Sequence, residues 1–222
     1  MADRIYSFDV FDTCLVRNFS HPHDLYRLLA KRMLWRINGN QDSLDEVAKL
    51  ARLRLETEAR VRLHSPQEDI CIDDIYGNFE ELKSWGILAE DMKREELSLE
   101  KQSVRPIFDT RRRVNSHRHD GSKIIFVSDM YLPEFFIRQM LEENGLASKE
   151  DRIYVSGEVG LTKSSGRLFQ YVLEREAIEP RQLVHYGDNY RSDFLVPKRL
   201  GIQTSLIKEV QLNRYERDIL KN

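Results

Sequence analysis

The sequence predicts an α/β protein with a Rossmann-like, three-layer α/β/α core around a parallel sheet, interrupted by an all-helical insertion. Short apolar runs of strand type recur along the chain, and in its second half they alternate with helical patterns. A long segment between the first and second runs shows helical spacing only. Because strands that alternate with helices form a parallel sheet covered on both faces, the helical segment is expected to be an insertion into that core.

The predicted strands are four to eight residues long and rich in Ile, Val and aromatic side chains. They cover residues 4–11, 123–127, 152–155, 183–186 and 203–207. Helices are predicted between the last four strands, over residues 133–144, 165–177 and 192–200. Each of these helices stops at or shortly before a glycine or a proline, which is typical of helix ends.

The insertion is predicted to contain four helices. The first starts at Pro22, and the others cover residues 42–64, 68–85 and 89–103. This predicts a core formed by residues 1–16 and 106–222 and a helical cap formed by residues 17–105. On the second cap helix, Arg52, Arg54, Arg60 and Arg62 alternate with glutamates, which favours a salt-bridged, solvated face over a phosphosugar site.

Composition excludes several classes of protein. The chain of 222 residues is 41% hydrophobic, enough for a folded core, and its 35 basic and 37 acidic residues give a net charge of −2. A general nucleic-acid binder would carry a basic excess, and the short run from Arg111 to Arg113 is more typical of a solvated helix face. The two cysteines imply no disulfide framework, and neither a signal peptide nor a long apolar run is present. We therefore expect a cytoplasmic protein without membrane or nucleic-acid partners.

Polar residues follow several of the predicted strands, where open α/β sheets bind their ligands. Strand one ends in the segment Asp9–Thr13, which contains Asp9 and Asp12, and strand two ends in Ser128. Strand four ends in Asp188 and is followed by Asp193, while Lys163 lies in the loop after strand three. Converging carboxylates repel one another unless a positive charge lies between them. Mg²⁺ prefers hard oxygen ligands, and a lysine would supply a second positive charge for an anionic substrate.

Each of these residues also has a structural explanation. An aspartate at a strand end is often a turn or cap residue, a lone lysine is usually solvated, and Ser128 could cap the following helix. Their order and spacing together favour a site.

The chain resembles the haloacid dehalogenase superfamily, whose four motifs occur here in order. They are DVFDT from Asp9 to Thr13, IIFVSD with Ser128, GLTKSSG with Lys163, and GDNYRSD from Gly187 to Asp193. The resemblance covers the whole core and implies that the insertion is the helical, C1-type cap of that superfamily. The DVFDT opening also resembles a bacterial subgroup associated with surface-polysaccharide gene products.

The resemblance implies a role for each motif residue. Asp9 would be the nucleophile that forms an aspartyl-phosphate, which water then hydrolyses. Ser128 and Lys163 would bind the phosphoryl oxygens, and Lys163 would also hold Asp9. For Mg²⁺, the implied ligands are Asp9, the main-chain carbonyl of Phe11 and Asp188. Asp193 would orient this shell, and the small Gly187 would let the chain approach the metal.

Phe11 departs from the phosphatase pattern, in which this position holds a second aspartate that protonates the leaving group. An aromatic residue here resembles the dehalogenase branch, which needs no metal. The intact Gly187–Asp188 pair favours a metal-assisted phosphoryl reaction instead, and ion pumps of the superfamily form an aspartyl-phosphate without this acid. Asp12 could replace the missing acid, or could hydrogen-bond the backbone of its own turn.

The expected function is a Mg²⁺-dependent phosphomonoester hydrolase acting on a small phosphorylated metabolite. One alternative is a carbon–halogen hydrolase of the dehalogenase type, and another is a metal-binding module with little turnover. Two further residues are candidates for substrate binding. Arg17 could bind an anionic substrate group or form an ion pair between cap and core, and Tyr131 could line the pocket or pack beneath it.

Overall fold

The computed structural model describes residues 4–19, 21, 23–39 and 43–208. The strands are β1 (Ile5–Phe8), β2 (Leu15–Arg17), β3 (Val104–Pro106), β4 (Lys123–Ser128), β5 (Arg152–Val155), β6 (Leu183–Gly187) and β7 (Gln203–Leu206). Five of them form a parallel sheet in the order β5-β4-β1-β6-β7. The predicted fold class is therefore confirmed, and every predicted strand is present with its ends shifted by at most a few residues.

The helices cover both faces of the sheet and fill the segment between β2 and β3. They are α1 (Asp24–Asn38), α2 (Leu44–His64), α3 (Ile72–Gly77), α4 (Ala89–Ser103), α5 (Phe108–His119), α6 (Glu134–Glu143), α7 (Ser156–Val159), α8 (Arg167–Glu176) and α9 (Val196–Arg199). Short 3₁₀ helices occur at Glu80–Trp85 and Pro180–Gln182, and a π-helical turn at Tyr190–Leu195.

The sheet separates two apolar cores, as β4, the strand beside the central strand β1, shows. Ile124 and Phe126 pack into one core, while Ile125 and Val127 pack into the other. This double burial explains why β4 has a continuous apolar sequence rather than an alternating one. The core that contains Phe126 continues into the helices between β2 and β3, where Leu29 of α1 belongs to the same cluster.

Residues 24–103, called the helical segment below, lie between β2 and β3. These two strands pair antiparallel, with Leu15 opposite Pro106, so the chain leaves and re-enters the core at adjacent points. The pair was not predicted, because three-residue strands carry too little periodicity to be recognised. The predicted boundaries at residues 17 and 105 fall inside it. The predicted helix start at Pro22 lies outside the described residues.

The C-terminal helix of the prediction, residues 192–200, is divided in the structure. The chain forms the π-helical turn first and then α9, with Pro197 in the first turn of that helix. Proline has no N–H to donate to the preceding turn, so a regular α-helix cannot continue through it. The turn is held at its start by Asn189, whose side chain accepts hydrogen bonds from the backbone N–H groups of Arg191 and Ser192.

The prediction that the four arginines of α2 lie on a solvated face is wrong for Arg54. Arg52 is exposed and pairs with Glu56 on the same helix. Arg54 is completely buried, and its guanidinium donates two hydrogen bonds of 2.7 Å to Glu96 of α4. It lies on the same helix face as the buried Leu50. Its charge is balanced by Glu96 and by Glu58, which pairs with it at 3.0 Å.

The helices in the part of the chain that the structure describes are all too short or too polar to cross a membrane.

Candidate active site

The carboxyl edge of the parallel sheet forms a cavity of about 350 Å³. Asp9 directly follows β1, Ser128 ends β4, Asp188 directly follows β6, and Asp193 lies in the π-helical turn. Lys163 lies between α7 and α8. All five line this cavity, so the structure brings together the residues that the sequence motifs singled out. Their individual roles remain predictions.

A buried ion-pair cluster forms the floor of the cavity. The Lys163 ammonium lies 2.5 Å from Oδ1 of Asp9 and 2.7 Å from Oδ1 of Asp193. Burial opposes the charge of all three groups, but the two carboxylates still raise the pKa of Lys163 above its ordinary value. Lys163 likewise holds the pKa of Asp193 below its usual range despite burial. Lys163 is thus a fixed cation beside Asp9.

The remaining carboxylates carry more negative charge than one lysine can balance. Burial raises the pKa of Asp9 to about 7, against the opposing charge of Lys163. Burial and the charge of Asp193 raise the pKa of Asp188 to about 6. Oxygen atoms of these three carboxylates lie within 4.8 Å of one another. Such a cluster of carboxylate oxygens fits a hard divalent cation, whose charge would offset both the burial and the mutual repulsion that raise the pKa values of Asp9 and Asp188.

Asp193 is fixed from several sides. Besides Lys163, its carboxylate accepts a hydrogen bond of 3.0 Å from the backbone N–H of Asn189. The space in front of Gly187 is filled by this side chain, since a Cβ atom at Gly187 would lie 2.4 Å from the Cβ of Asp193. The absence of a side chain at Gly187 therefore makes room for Asp193. The approach of the chain to a metal at this glycine stays a prediction.

A buried polar chain behind Asp193 was missed at the sequence level. Nε2 of His185 lies 3.3 Å from Oδ1 of Asp193, and Nδ1 of His185 lies 2.7 Å from Oγ of Ser7. Burial lowers the pKa of His185, which favours the neutral ring. Ser7 and His185 stand opposite each other on β1 and β6. The available signal was a polar residue inside each of two apolar strands, but only the strand pairing shows that they meet.

The loop after Asp9 turns sharply. Asp12 has a φ of 59°, a left-handed conformation that aspartate tolerates better than most residues, and its N–H donates to the carbonyl of Leu15 at 2.7 Å. Thr13, a further residue without a predicted role, donates from its hydroxyl to Asp188 at 3.2 Å. This hydrogen bond ties the loop that follows Asp9 to the loop that follows β6.

Asp12 also lines the cavity. Burial raises its pKa, while Arg17 acts in the opposite direction. Among the described residues, no hydrogen bond joins this carboxyl to the backbone of its own turn, which was the structural explanation offered for it. The side chain of Phe11 packs under the Arg17 guanidinium, whose central carbon lies 4.1 Å from the centre of the ring.

A second cavity of about 460 Å³ adjoins the first and shares Asp129 and Ser164 with it. Arg17 and Tyr131, the two further candidates for substrate binding, line this second cavity. Arg17 forms two hydrogen bonds, of 2.9 and 3.1 Å, with Glu100 of α4. The Tyr131 hydroxyl donates to Glu96 at 3.0 Å. Their contact with a substrate remains a prediction.

The five-stranded parallel sheet with a helical segment after its first strand is similar in fold to solved structures of haloacid dehalogenase (HAD) superfamily hydrolases. Solved structures of that superfamily share the fold of this chain over nearly its whole length. No protein-family model matches the chain, and no curated protein does.

Three of these structures illustrate the range of the superfamily. A 2-haloacid dehalogenase from Pseudomonas syringae superposes with a TM-score of 0.66 at 14% identity, over 96% of this chain and 92% of its own. A HAD phosphatase from Thermococcus onnurineus has a TM-score of 0.60 at 21% identity, over 96% and 89%. A HAD family enzyme from Bacteroides thetaiotaomicron, in complex with magnesium and inorganic phosphate, has a TM-score of 0.59 at 12% identity, over 96% and 98%. The fold is thus shared with both phosphatases and dehalogenases.

Proposed function

We propose that the protein is a Mg²⁺-dependent phosphomonoester hydrolase that acts on a small phosphorylated metabolite through an aspartyl-phosphate on Asp9. The observation that carries this proposal is the cluster of Asp9, Asp188 and Asp193, with carboxylate oxygens within 4.8 Å of one another around a single lysine. A metal-independent dehalogenase has no need of this excess of carboxylates. A phosphatase uses it to hold the cation that neutralises its substrate.

Asp9 would act in two steps. Its carboxylate attacks phosphorus, the bond from phosphorus to the leaving oxygen breaks, and the leaving oxygen takes up a proton. Water then attacks the acyl phosphate, which releases inorganic phosphate and restores the carboxylate. Lys163 and Ser128 would bind the phosphoryl oxygens during both steps, since phosphoryl transfer depends mainly on positioning and charge neutralisation.

The residues that would hold Mg²⁺ are Asp9, Asp188 and the main-chain carbonyl of Phe11. Asp193 would orient them, because Lys163 and the Asn189 backbone fix it in place. When bound, the metal supplies positive charge to the phosphoryl oxygens.

The decisive assay is phosphate release from an aryl phosphate, whose good leaving group needs little acid. We expect release in the presence of Mg²⁺, its loss on addition of EDTA, and its recovery when Mg²⁺ is returned in excess. Release that is indifferent to EDTA would contradict the proposed cofactor, and absence of release with Mg²⁺ would contradict the proposed activity. A screen of sugar, nucleotide and amino-acid phosphates, with and without Mg²⁺, would then identify the substrate class.

For Asp12 we propose the role of leaving-group acid. Replacing it by Asn should lower turnover of alkyl phosphates by roughly 10²-fold, the lower end of what a general acid contributes, and turnover of aryl phosphates much less. Steady-state rates on one alkyl and one aryl phosphate measure the difference. Equal losses on both substrates would mean that Asp12 only shapes its turn.

A second candidate function is carbon–halogen hydrolysis. Phe11 favours it, because the phosphatase pattern has an acidic residue at this position and this chain has none there. It predicts halide release from a 2-haloacid without metal, and the 2-haloacid dehalogenase superposition is compatible with it. A third is a metal-binding module with little turnover, which predicts Mg²⁺ binding without hydrolysis across the whole panel.

A further inference from the structure

The chain between α2 and α3 crosses from the helical segment to the edge of the core that carries the candidate site. We call residues 67–72 the bridging segment. It contacts two core loops. One, residues 128–133, begins at Ser128, and the other, residues 160–166, contains Lys163.

The Glu68 carboxylate forms hydrogen bonds with residues of the Lys163 loop on both sides of the lysine. Its carboxylate accepts hydrogen bonds from the Thr162 N–H at 2.8 Å, the Thr162 hydroxyl at 3.1 Å, the Ser165 hydroxyl at 2.6 Å and the Arg167 guanidinium at 3.0 Å. Burial opposes its charge, but these donors lower the pKa of Glu68 to about 2. One carboxylate of the helical segment thus fixes the backbone directly before Lys163 and the side chains after it.

Asp69 is connected to the Ser128 loop through the hydroxyl group of Ser156. Its carboxylate, which is almost completely buried, accepts a hydrogen bond of 2.5 Å from the hydroxyl of Ser156. The same hydroxyl accepts from the backbone N–H of Met130, two residues beyond Ser128, at 2.8 Å. Ile72 adds a direct bond, from its N–H to the carbonyl of Tyr131 at 2.9 Å.

Two glycines allow this close approach. A Cβ atom at Gly157 would lie 2.5 Å from the carbonyl oxygen of Ile70 and 2.8 Å from that of Met130, so no larger residue fits between the bridging segment and the Ser128 loop. At Gly160, φ is +74° and a Cβ atom would lie 2.8 Å from the Gln67 side chain. The core surface is therefore shaped to receive this segment of chain.

We propose that Glu68 and Asp69 are positioning residues, which hold the Lys163 loop and the Ser128 loop at the separation that binds a phosphoryl group. This inference rests on the proposed function. Its physical basis is that the loops of Lys163 and Ser128, the two predicted phosphoryl-binding residues, are anchored to two adjacent carboxylates, the first to Glu68 and the second to Asp69 through Ser156. Because a displacement of about 1 Å in a catalytic group can cost about 10²-fold in rate, anchoring of these loops matters for catalysis. Phosphoryl binding then depends on the helical segment being docked.

The first test replaces Glu68 by Gln, which keeps the size of the side chain and removes its charge. We expect kcat/KM for an aryl phosphate to fall by roughly 10- to 100-fold, and the Kd of inorganic phosphate in the presence of Mg²⁺ to rise, with partial rescue in Glu68→Asp. The matched control is Glu81→Gln, because Glu81 pairs with Arg60 at 2.7 Å wholly within the helical segment. Equal phosphate affinity in the two variants would overturn the proposal, since a general loss of stability affects both.

The second test does not depend on turnover. The Thr162 N–H donates to Glu68, so its hydrogen exchange should accelerate in Glu68→Ala, which leaves no side-chain oxygen to accept this bond, and stay unchanged in Glu81→Ala. Unchanged exchange at Thr162 in both variants would show that Glu68 does not hold the loop. If the wild-type protein neither hydrolyses an aryl phosphate nor binds inorganic phosphate, the proposed function is wrong, and the exchange result still decides whether Glu68 anchors the loop.

Discussion

Replacing Asp9 by Asn should reduce Mg²⁺-dependent phosphate release from an aryl phosphate by roughly 10⁴-fold or more, as expected when a nucleophile is removed. The amide oxygen can still accept the hydrogen bond from Lys163, so the fold should be kept. The amide is, however, a poor nucleophile toward phosphorus. Release of phosphate under saturating substrate, measured for the purified variant, gives the size of the effect.

Asp109→Asn is the matched control for this experiment. Asp109 lies in the first turn of α5, is half exposed, and forms a surface pair with Arg112. Its replacement should leave the rate within about twofold, since exposed pairs contribute little. Activity that survives Asp9→Asn would remove Asp9 from the nucleophile position and, with it, the aspartyl-phosphate.

Replacing Arg54 by Met should lower the free energy of unfolding by about 3–5 kcal/mol, the range for removing one partner of a buried ion pair. The substitution leaves Glu96 charged and buried without its two hydrogen bonds from Arg54. It also removes the guanidinium that packs 4.8 Å from the ring centre of Tyr26 and 5.3 Å from that of Tyr131. Urea denaturation of the two proteins measures the difference.

Arg52→Met, two residues earlier on the same helix, is the control. Arg52 is exposed and, among the residues that the structure describes, pairs only with Glu56, so the expected change is within about 0.5 kcal/mol. In the double variant Arg54→Met with Glu96→Met, much of the lost stability should return, because no uncompensated charge remains buried. A change of less than about 1 kcal/mol in Arg54→Met alone would contradict this account of the cluster.

The elements with the strongest local patterns were predictable. The strand of β4 is a run of apolar residues at a length typical of strands, and α6 has an amphipathic pattern that ends before Gly145. The π-helical turn before α9 was not predicted as such, although Pro197 could have signalled a break. The β2–β3 pair was too short to recognise, and its two strands are far apart in sequence.

The candidate site likewise contains residues that could be predicted from the sequence and residues that could not. Asp9, Ser128 and Asp188 could be placed together because the end of a parallel strand determines where its next residue lies. Ser7 and His185 could not, because each is a single polar residue within an apolar strand, and their hydrogen bond depends on the register of β1 against β6. The burial of Arg54 likewise depends on the packing of the helices, which brings Glu96 of α4 within hydrogen-bond distance of its guanidinium.

By itself, the sequence determined the α/β class, the strands of the sheet and the gathering of carboxylates with one lysine at its carboxyl edge, since these follow from local periodicity and the direction of parallel strands. Only the tertiary structure decided which charges balance one another. It placed Lys163 between Asp9 and Asp193, and it brought Glu68 of the helical segment onto the Lys163 loop. The physical reason is that such pairs join residues distant in sequence, so their contacts exist only once the helical segment has packed on the core.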